Sequence, residues 1–290
     1  MAQIDLTIKI QTNDRGKGLA AAQDVVANSV LIKVPNPYIL LSDKASLSKI
    51  CSWCMLPMCS FAPHLQPRCV TALKRCSACK IPQYCSSACQ RADWKSIHAK
   101  ECAHLKLLPD IPPTPVRAVM QVLLKILPGS TWETRCANLE GHEADRKKRF
   151  NSGSGESWGD FLLQARAATA FSGMEASRIE LATSVLSRIS CNSFHATLPD
   201  ATPVGLAFDP EIALVNHSCA PNAHVIFEGR SMILQSLIPI QKGQELFISY
   251  VDVQQECNSR RQDLWRTYFF WCRCPKCTKE AGIETWAKAC

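Results

Sequence analysis

The sequence predicts an α+β fold in which short strands are divided by a cysteine-rich module and by amphipathic helices. Residues 2–10 alternate apolar and polar positions, the pattern of a half-buried strand. Residues 51–102 contain closely paired cysteines, and residues 116–127 carry apolar side chains at helical spacing. Short apolar runs return between 204 and 250, so predicted strands lie on both sides of the helical stretch.

Composition and charge exclude several classes of protein. With 47% hydrophobic and 20% charged residues in 290, the chain has the composition of a soluble globular protein with one large core or two smaller ones. No apolar run approaches the roughly 18 residues of a membrane span. A secretory signal peptide needs an uninterrupted apolar stretch near the N-terminus, and the charged residues Asp5, Lys9 and Asp14 interrupt that region here. We therefore expect no membrane segment and a location in the nucleus, the cytoplasm or both.

Seventeen cysteines without a secretion signal favour thiolate metal sites over disulfides. Four pairs of candidate ligands fall within 51–102, namely Cys51-x2-Cys54, Cys76-x2-Cys79, Cys85-x3-Cys89 and His98-x3-Cys102. Each pair can occupy one edge of a Zn²⁺ coordination tetrahedron, so two pairs complete a site. The long gap after Cys54 contains Cys59, His64 and Cys69, and a register that uses Cys59 or Cys69 as a ligand stays open.

Strand and helix patterns surround this module. Lys17 and Gly18 lie in a glycine-containing turn, and the strand Val30–Val34 follows and ends at Pro35. The later patterns predict helices over 116–127 (stopped by Pro128-Gly129), 158–171, 175–189 and 252–267, and strands over 212–215, 224–227, 231–237 and 246–250. Residues 141–157 are polar and are predicted to form an exposed loop.

The stretch with the most chemistry is Asn216-His217-Ser218-Cys219-Ala220-Pro221-Asn222. An amide, an imidazole, a hydroxyl and a thiol follow one another between apolar runs. Buried polar groups cost free energy unless they find partners, so the stretch is predicted to bind a ligand rather than to form a plain turn. Two other stretches support this interpretation. Gly243–Tyr250 contains the predicted strand over 246–250, which ends at Tyr250. Cys272-x-Cys274-x2-Cys277 leaves a zinc site one ligand short.

In this order, the three stretches resemble the SET domain of protein lysine methyltransferases, and the paired cysteines resemble a MYND zinc finger. The whole chain resembles the SET-and-MYND-domain (SMYD) lysine methyltransferases, in particular short fungal-type members without a C-terminal helical-repeat domain. The resemblance implies a β-rich SET fold of class α+β. Its divisions would be the SET N-terminal part at 1–50, the MYND finger at 51–102, a helical insertion (SET-I) at 103–190, the SET core at 191–252 and a post-SET tail at 253–290.

The resemblance also implies three zinc ions. In the finger the pairing is interleaved, with one ion held by Cys51, Cys54, Cys85 and Cys89 and the other by Cys76, Cys79, His98 and Cys102. In the tail, Cys219 would join Cys272, Cys274 and Cys277, with Cys257 and Cys290 as rivals for the fourth position. Each four-thiolate site would carry a charge of −2 and the site with histidine −1, which lowers the formal net charge of +8 to about +3. A nucleic-acid partner is then not required.

The implied reaction transfers a methyl group from S-adenosylmethionine to a protein lysine. The ε-amine must first lose a proton, since its pKa is about 10.4 in water, and a narrow apolar channel lowers that pKa. The resemblance implies roles for the residues at positions that match the family's motifs. Those at the cofactor would be Lys17, Gly18, Asn192, Asn216, His217, Tyr250 and Phe270, and those along the lysine channel would be Tyr268 and Phe270. Tyr250 is the implied catalytic residue. Because a phenol is mostly protonated at pH 7, Tyr250 is predicted to position the reacting groups and to stabilise them electrostatically rather than to act as a general base.

A second interpretation comes from a different class of protein. The chain could be a catalytically inactive SET scaffold whose MYND finger recruits partners, with proline-containing peptides as the implied ligands. The joint presence of Asn216, His217 and Tyr250 favours the enzyme. The sequence does not indicate which lysine is methylated, whether the substrate is a histone, or how many methyl groups are added.

Overall fold

The computed structural model describes residues 7–12, 16–126, 132, 136, 139–151 and 157–282. The chain divides into two compact units. The first comprises Met1–Val34, Glu211–Ile226 and Met232–Cys290, and the second comprises Pro35–Pro210 and Phe227–Ser231. The domain boundaries implied by the resemblance remain predictions.

Short strands and medium-length helices alternate along the described chain. The strands are β1 (Thr7–Thr12), β2 (Gly16–Ala21), β3 (Val30–Val34), β4 (Ile39–Ser42), β5 (Lys74–Arg75), β6 (Gln83–Tyr84), β7 (Phe194–Thr197), β8 (Pro203–Phe208), β9 (Asn216–His217), β10 (Ala223–Glu228), β11 (Ser231–Ser236) and β12 (Phe247–Ile248). The helices are α1 (Ser87–Asp93), α2 (Ala99–Leu107), α3 (Thr114–Lys125), α4 (Glu143–Asn151), α5 (Trp158–Phe171), α6 (Ile179–Asn192), α7 (Cys257–Tyr268) and α8 (Pro275–Glu280). This mixture confirms the predicted α+β class.

The first unit is built from small sheets. β1 and β2 form an antiparallel pair, with Thr7 opposite Ala21 and Thr12 opposite Gly16. β11 lies between β10 and β3, and it pairs with β3 in the antiparallel sense. β9 and β12 pair in parallel. This last pairing brings the polar stretch at 216–219 beside the strand that leads to Tyr250.

The second unit combines a three-stranded sheet with a helical layer. β8 pairs with β4 on one side and with β7 on the other, both antiparallel, and α3, α5 and α6 pack against one another. α3 carries a proline in its first turn, where a missing N–H costs nothing. Its side chains Val116, Val119, Met120 and Leu123 are completely buried or nearly so. Each contributes about 1.5–3 kcal/mol by burial, so the apolar stripe is core, as predicted.

The predicted loop at 141–157 is wrong, because α4 occupies Glu143–Asn151. Acidic residues in its first turn and basic residues in its last turn match the helix dipole. The helix is also fixed by Arg146, which is 6% exposed. Its guanidinium lies 5.0 Å from the Phe161 ring and donates to Cys191 Sγ at 3.2 Å. A charge-rich stretch thus becomes helical because one of its cations is buried in tertiary contacts.

Several predicted boundaries also differ from the structure. The predicted strand at 212–215 is a 3₁₀ turn (Ile212–Leu214), the strand predicted at 246–250 is limited to Phe247–Ile248, the helix predicted from 252 begins at Cys257, and α6 continues to Asn192. The predicted stop at Pro128-Gly129 and the start of the first predicted strand lie outside the described residues. None of the helices described is both long enough and apolar enough to span a lipid bilayer.

Candidate active site and metal centres

The parallel pairing of β9 with β12 positions the polar stretch. Asn216 lies opposite Phe247 and His217 lies opposite Ile248. Two residues after Ile248 the chain reaches Tyr250, whose backbone N–H donates to His217 Nδ1 at 3.0 Å. Segments that are 33 residues apart in the sequence therefore meet through backbone pairing and one side-chain hydrogen bond.

The amide of Asn216 has a fixed orientation. Its Nδ2 donates to Glu245 Oε1 at 2.7 Å and to the Lys17 carbonyl at 3.4 Å. Because a carboxylate and a carbonyl only accept, the nitrogen must face them, and Oδ1 is left as the acceptor for a ligand. Gly18 makes this approach possible, since a Cβ there would lie 2.6 Å from both Asn216 Nδ2 and Glu245 Oε1.

The His217 ring connects the site to a cluster of thiols. Nδ1 accepts the Tyr250 backbone N–H, so the proton of the neutral ring is on Nε2. Nε2 lies 3.2 Å from Cys219 Sγ and is placed to donate to it. With both nitrogens engaged and 7% exposure, the His217 side chain holds the site together, which leaves its backbone as the part that can contact a cofactor.

The rings of Tyr268 and Phe270 form an aromatic wall beside the ring of Tyr250. The ring of Tyr250 lies 4.7 Å from that of Tyr268 and 6.5 Å from that of Phe270. Phe269 between them has φ of +61°, which ends α7 and lets both neighbours approach Tyr250. The Tyr250 hydroxyl donates to the Val215 carbonyl at 2.7 Å. Its hydrogen is thereby committed, and its oxygen lone pairs can face a substrate.

Among the residues that the structure describes, three sets of candidate zinc ligands come together, and in each set the ligand atoms lie within 4.8 Å of one another. The sets are Cys51, Cys54, Cys85 and Cys89; Cys76, Cys79, His98 and Cys102; and Cys219, Cys272, Cys274 and Cys277. These are the sets that the resemblance implied, including the interleaved pairing in the finger.

Sulfur spacing tests whether these sets fit zinc. A tetrahedron with Zn–S bonds of about 2.3 Å has sulfur–sulfur edges of about 3.8 Å. The measured separations are 3.6 Å for Cys54–Cys85 and 3.9 Å for Cys219–Cys272. In the second set, hydrogen bonds involving His98 and the Cys79 backbone outweigh burial and lower the pKa of the Cys76 thiol to about 6. The sets thus have the spacing that a zinc ion needs, and the second set contains a thiol that ionises readily.

Two cysteines that the sequence left open as ligands form a disulfide instead. Cys59 and Cys69 are joined, with their Cα atoms 5.1 Å apart. The bond departs from the expectation that the cysteines serve metal sites. Its cause is local pairing, since the Cys59 N–H donates to the Val70 carbonyl at 2.8 Å and brings the two ends of the loop together. Of the rivals for the third site, Cys257 lies outside the set, 3.7 Å from the Cys277 carbonyl, and Cys290 is not among the described residues.

A buried carboxylate orients the histidine of the second set. Glu101 is completely buried, and its Oε1 lies 3.1 Å from His98 Nδ1. Arg117 donates to the same oxygen at 2.6 Å, and Gln121 donates to Oε2 at 3.1 Å. Burial opposes the charge of Glu101, but Arg117 and His98 hold its pKa well below the usual range. Such a partner fixes the ring of a ligating histidine, and here it also connects the finger to α3.

The third set has a buried cation beside it. Arg260 is 1% exposed and lies 3.6 Å from Cys277 Sγ. It also pairs with Glu280 at 2.5 Å. Tyr250, Tyr268 and Phe270 pack against the same thiol cluster. A guanidinium can offset the excess negative charge of four thiolates around one dication.

Most of the predicted site residues lie together in the first unit. They are Lys17, Gly18, Asn216, His217, Tyr250, Tyr268 and Phe270. Asn192 belongs to the second unit, where its Nδ2 donates to the Glu140 and Arg188 carbonyls at 2.8 Å each. Its role at the cofactor stays a prediction, as do the individual roles of the others.

Sequence reasoning assigns no role to Glu245, Glu101 or Arg260. Glu101 follows His98 by three residues, a spacing that puts both on one face of a helix, and this signal could have identified it. Glu245 lies in the Gly243–Tyr250 stretch, but its partner Asn216 is 29 residues away. No local pattern signals Arg260, because its burial depends on how the tail folds back.

Comparison with known proteins finds relatives that align with most of this chain. It is 31% identical over 278 residues to SET domain and MYND-type zinc finger protein 6 of Schizosaccharomyces pombe, covering 93% of this chain and 53% of that protein. It is 28% identical to the human histone-lysine N-methyltransferase SMYD3, and the match covers 96% of this chain and 63% of that protein. It is 26% identical to the histone-lysine N-methyltransferase ASHR1 of Arabidopsis thaliana, and the match covers 91% of this chain and 53% of that protein. The chain thus spans between about half and two thirds of the length of these relatives.

The family itself is shown by a match that covers most of the chain. Residues 16–251 match the SET domain. This range begins at β2, ends just after Tyr250 and includes the inserted cysteine-rich finger and the helical layer. The chain therefore belongs to the SET domain family.

Proposed function

We propose that this protein is an S-adenosylmethionine-dependent protein lysine N-methyltransferase. The proposal rests on one arrangement: Asn216, His217 and Tyr250 lie close together, beside the aromatic wall of Tyr268 and Phe270. S-adenosylmethionine, when bound, supplies an electrophilic methyl group on a sulfonium. The enzymes among the relatives named above carry out lysine methylation according to their names, which supports the same reaction class here.

The site offers a complementary set of groups for the two reactants. The Oδ1 atom of Asn216 can accept a hydrogen bond from an ammonium or amino group of the cofactor, because Glu245 and Lys17 engage the other end of the amide. The backbone around Gly18 and His217 can supply further contacts. A glycine is needed at position 18 to keep that surface open.

Tyr250 and its aromatic neighbours can accommodate the ε-amine of the substrate lysine. The Tyr250 oxygen has its proton committed to Val215 and can accept from a lysine ε-amine, which orients the nitrogen lone pair. The rings of Tyr268 and Phe270 exclude water and lower the pKa of the substrate amine by desolvation, so more of it is neutral. Tyr250 accordingly acts by positioning and electrostatic stabilisation.

Two measurements test this function against the inactive-scaffold alternative. Calorimetry with S-adenosylmethionine on the zinc-loaded chain should show one binding site. Incubation with histones and with whole-cell protein should give mass increases of one or more methyl groups on lysine. Absence of both cofactor binding and methylation in folded, zinc-loaded protein would support the scaffold instead.

Glu245 gives a prediction about cofactor binding. Glu245→Ala should raise the KM for S-adenosylmethionine about tenfold, with a smaller change in kcat, because the Asn216 amide loses the acceptor that fixes it. Loss of one hydrogen bond to a charged group corresponds to about 1.5–3 kcal/mol. In Glu245→Gln the side-chain oxygen can still accept, so KM should stay within about threefold. An equal rise in both variants would show that the charge, not the amide orientation, is what matters.

The MYND finger is proposed to recruit proline-containing peptides, with the protein located in the nucleus, the cytoplasm or both. Exposed aromatic surface on the finger supports this role, since Trp94 is 48% exposed. Gln83, which comes shortly before the ligand Cys85, is 8% exposed and belongs to the interior of the finger. It cannot form part of a binding surface.

Trp94 therefore gives the test of this role. Trp94→Ala should weaken binding of a proline-rich peptide at least tenfold and leave methylation of a short lysine peptide within about twofold. The ring of Trp94 lies 5.8 Å from that of His98, so zinc content must be measured in parallel, with Trp94→Phe as the matched control. A collapse of peptide methylation at normal zinc content would mean that the finger contributes to the active site.

A further inference from the structure

Two exposed tryptophans stack on one another at the end of α7, within the first unit. The ring centres of Trp265 and Trp271 lie 5.9 Å apart, and the ring planes are inclined by 17°. Trp265 is 42% exposed and Trp271 is 44% exposed. Single exposed apolar side chains are normal on a protein surface, whereas contiguous apolar patches mark interaction sites. Neither tryptophan of this outer aromatic pair is a candidate zinc ligand or part of the aromatic wall beside Tyr250.

The outer aromatic pair is fixed on both sides of the turn at Phe269. The Trp265 carbonyl accepts the Phe269 N–H at 3.2 Å. Trp271 directly precedes Cys272, which is 3% exposed and belongs to the third ligand set. Arg261, one helical turn before Trp265, has its guanidinium carbon 5.0 Å from the centre of the Trp271 ring. Because both rings are already positioned, a partner that binds them loses little conformational entropy in the protein.

The outer aromatic pair continues the wall that lies beside Tyr250. Trp265 comes three residues before Tyr268 on α7, and Trp271 directly follows Phe270. Each pair therefore has one ring from the helix and one from the returning chain. Three residues of helix advance about 4.5 Å, and an extended peptide advances about 3.3 Å per residue. A peptide whose lysine lies at the wall can thus place a residue within about four positions of that lysine on the outer aromatic pair.

Charge gives this surface little selectivity. Residues 256–280 carry six basic and three acidic side chains, and the third ligand set would carry −2 with its ion, which leaves a net charge of about +1. Arg266 lies 3.9 Å from Asp263, and the buried Arg260 pairs with Glu280. No strong field therefore attracts an acidic or a basic partner, and apolar contact is what can select one.

We propose that Trp265 and Trp271 select the substrate by binding a large apolar side chain close to the lysine that is methylated. This inference rests on the proposed methyltransferase function and names the sequence class of its substrate. Tryptophan offers a large contact area, and residues of this type dominate binding free energy at interfaces. A cationic side chain in the same place would meet Arg261, which already lies against the Trp271 ring. Because the outer aromatic pair binds a part of the substrate away from the reacting atoms, it should act on KM rather than on kcat.

Methylated sites in whole-cell protein give the first test. The zinc-loaded wild type is incubated with whole-cell protein and S-adenosylmethionine, and the methylated lysines are identified by mass spectrometry. We expect a large apolar residue to be enriched at one fixed position within about four residues of the lysine. Methylation without such an enrichment would overturn this inference and leave the proposed function intact. Absence of any methylation would remove the proposed function and this inference together.

Two peptides made from one enriched site give the quantitative test. One peptide keeps the apolar residue, and the other has serine in its place. For the wild type, the serine peptide should have a KM about tenfold higher and a similar kcat. Trp265→Gln and Trp271→Gln should each raise the KM of the apolar peptide about five- to tenfold, but that of the serine peptide less than about twofold, since both changes remove the same contact. Trp265→Phe keeps an aromatic ring and should keep most of the preference.

Trp158→Gln is the matched control for these variants. Trp158 is also partly exposed and stacks on Phe161 with ring centres 5.5 Å apart, but it belongs to the second unit. It should leave the KM of both peptides unchanged. Zinc content is measured in each variant, because Trp271 precedes a candidate ligand, whereas Trp265 does not.

Three outcomes in the tryptophan variants would contradict the inference. An equal rise in KM for both peptides would show that the outer aromatic pair does not select an apolar residue. A fall in kcat with loss of zinc in both Trp265→Gln and Trp271→Gln would show a purely structural role. A changed oligomeric state in light scattering, with the peptide preference intact, would assign the outer aromatic pair to a contact between copies of the chain.

Discussion

Tyr250→Phe should lower kcat for lysine methylation by about 10²–10³ while the Kd for S-adenosylmethionine stays within a few-fold. The change removes only a hydroxyl, and loss of one preorganised electrostatic contact in an active site typically has an effect of this size. The hydroxyl now donates to the Val215 carbonyl at 2.7 Å. Its loss should therefore also reduce the free energy of unfolding by about 1 kcal/mol. Single-turnover kinetics with cofactor in excess separate the chemical step from binding.

Tyr84→Phe is the matched control for this prediction. It also removes a buried tyrosine hydroxyl, one that donates to Asp93 at 2.7 Å in the finger. We expect lower stability and unchanged kcat in this variant, because Tyr84 has no place in the proposed active site. Near-normal turnover in Tyr250→Phe, or an equal loss in both variants, would refute the role given to the Tyr250 hydroxyl.

Cys219→Ser should lower the zinc content from three ions per chain to two and remove most activity. Cys219 belongs to the same set as Cys272, Cys274 and Cys277. Because zinc binding contributes folding free energy directly, loss of one ligand should release the tail after Tyr268 without unfolding the rest. Metal analysis, limited proteolysis near 268–282 and calorimetry with S-adenosylmethionine provide the three measurements.

The structure adds a physical route from this zinc site to the active site. The His217 ring accepts from the Tyr250 backbone through Nδ1 and faces Cys219 Sγ through Nε2, so a displaced Cys219 frees the ring that holds Tyr250. Weaker cofactor binding should therefore accompany zinc loss. Cys257→Ser is the control and should retain three zinc ions, as should Cys290→Ser. If Cys219→Ser keeps three ions and either control loses one, the coupling is wrong.

The sequence by itself determined those features that depend on local spacing. The apolar stripe of α3 recurs with helical period, and the four ligand pairs of the finger fit one edge of a tetrahedron each. The polar stretch at 216–219 could also be recognised as a candidate binding site, because consecutive polar groups between apolar runs need partners. Periodicity, ligand spacing and polarity are properties of neighbours in the chain, so no tertiary information is required to see them.

Only the tertiary structure decided which distant groups meet. It selected Cys219 over Cys257 for the third ligand set, joined Cys59 to Cys69, and placed the Glu245 carboxylate on the Asn216 amide. It also turned a charged stretch into α4 by burying one arginine. These outcomes depend on strand pairing and on packing between segments far apart in sequence. Their free energy comes from contacts and charges that exist only when the chain is folded.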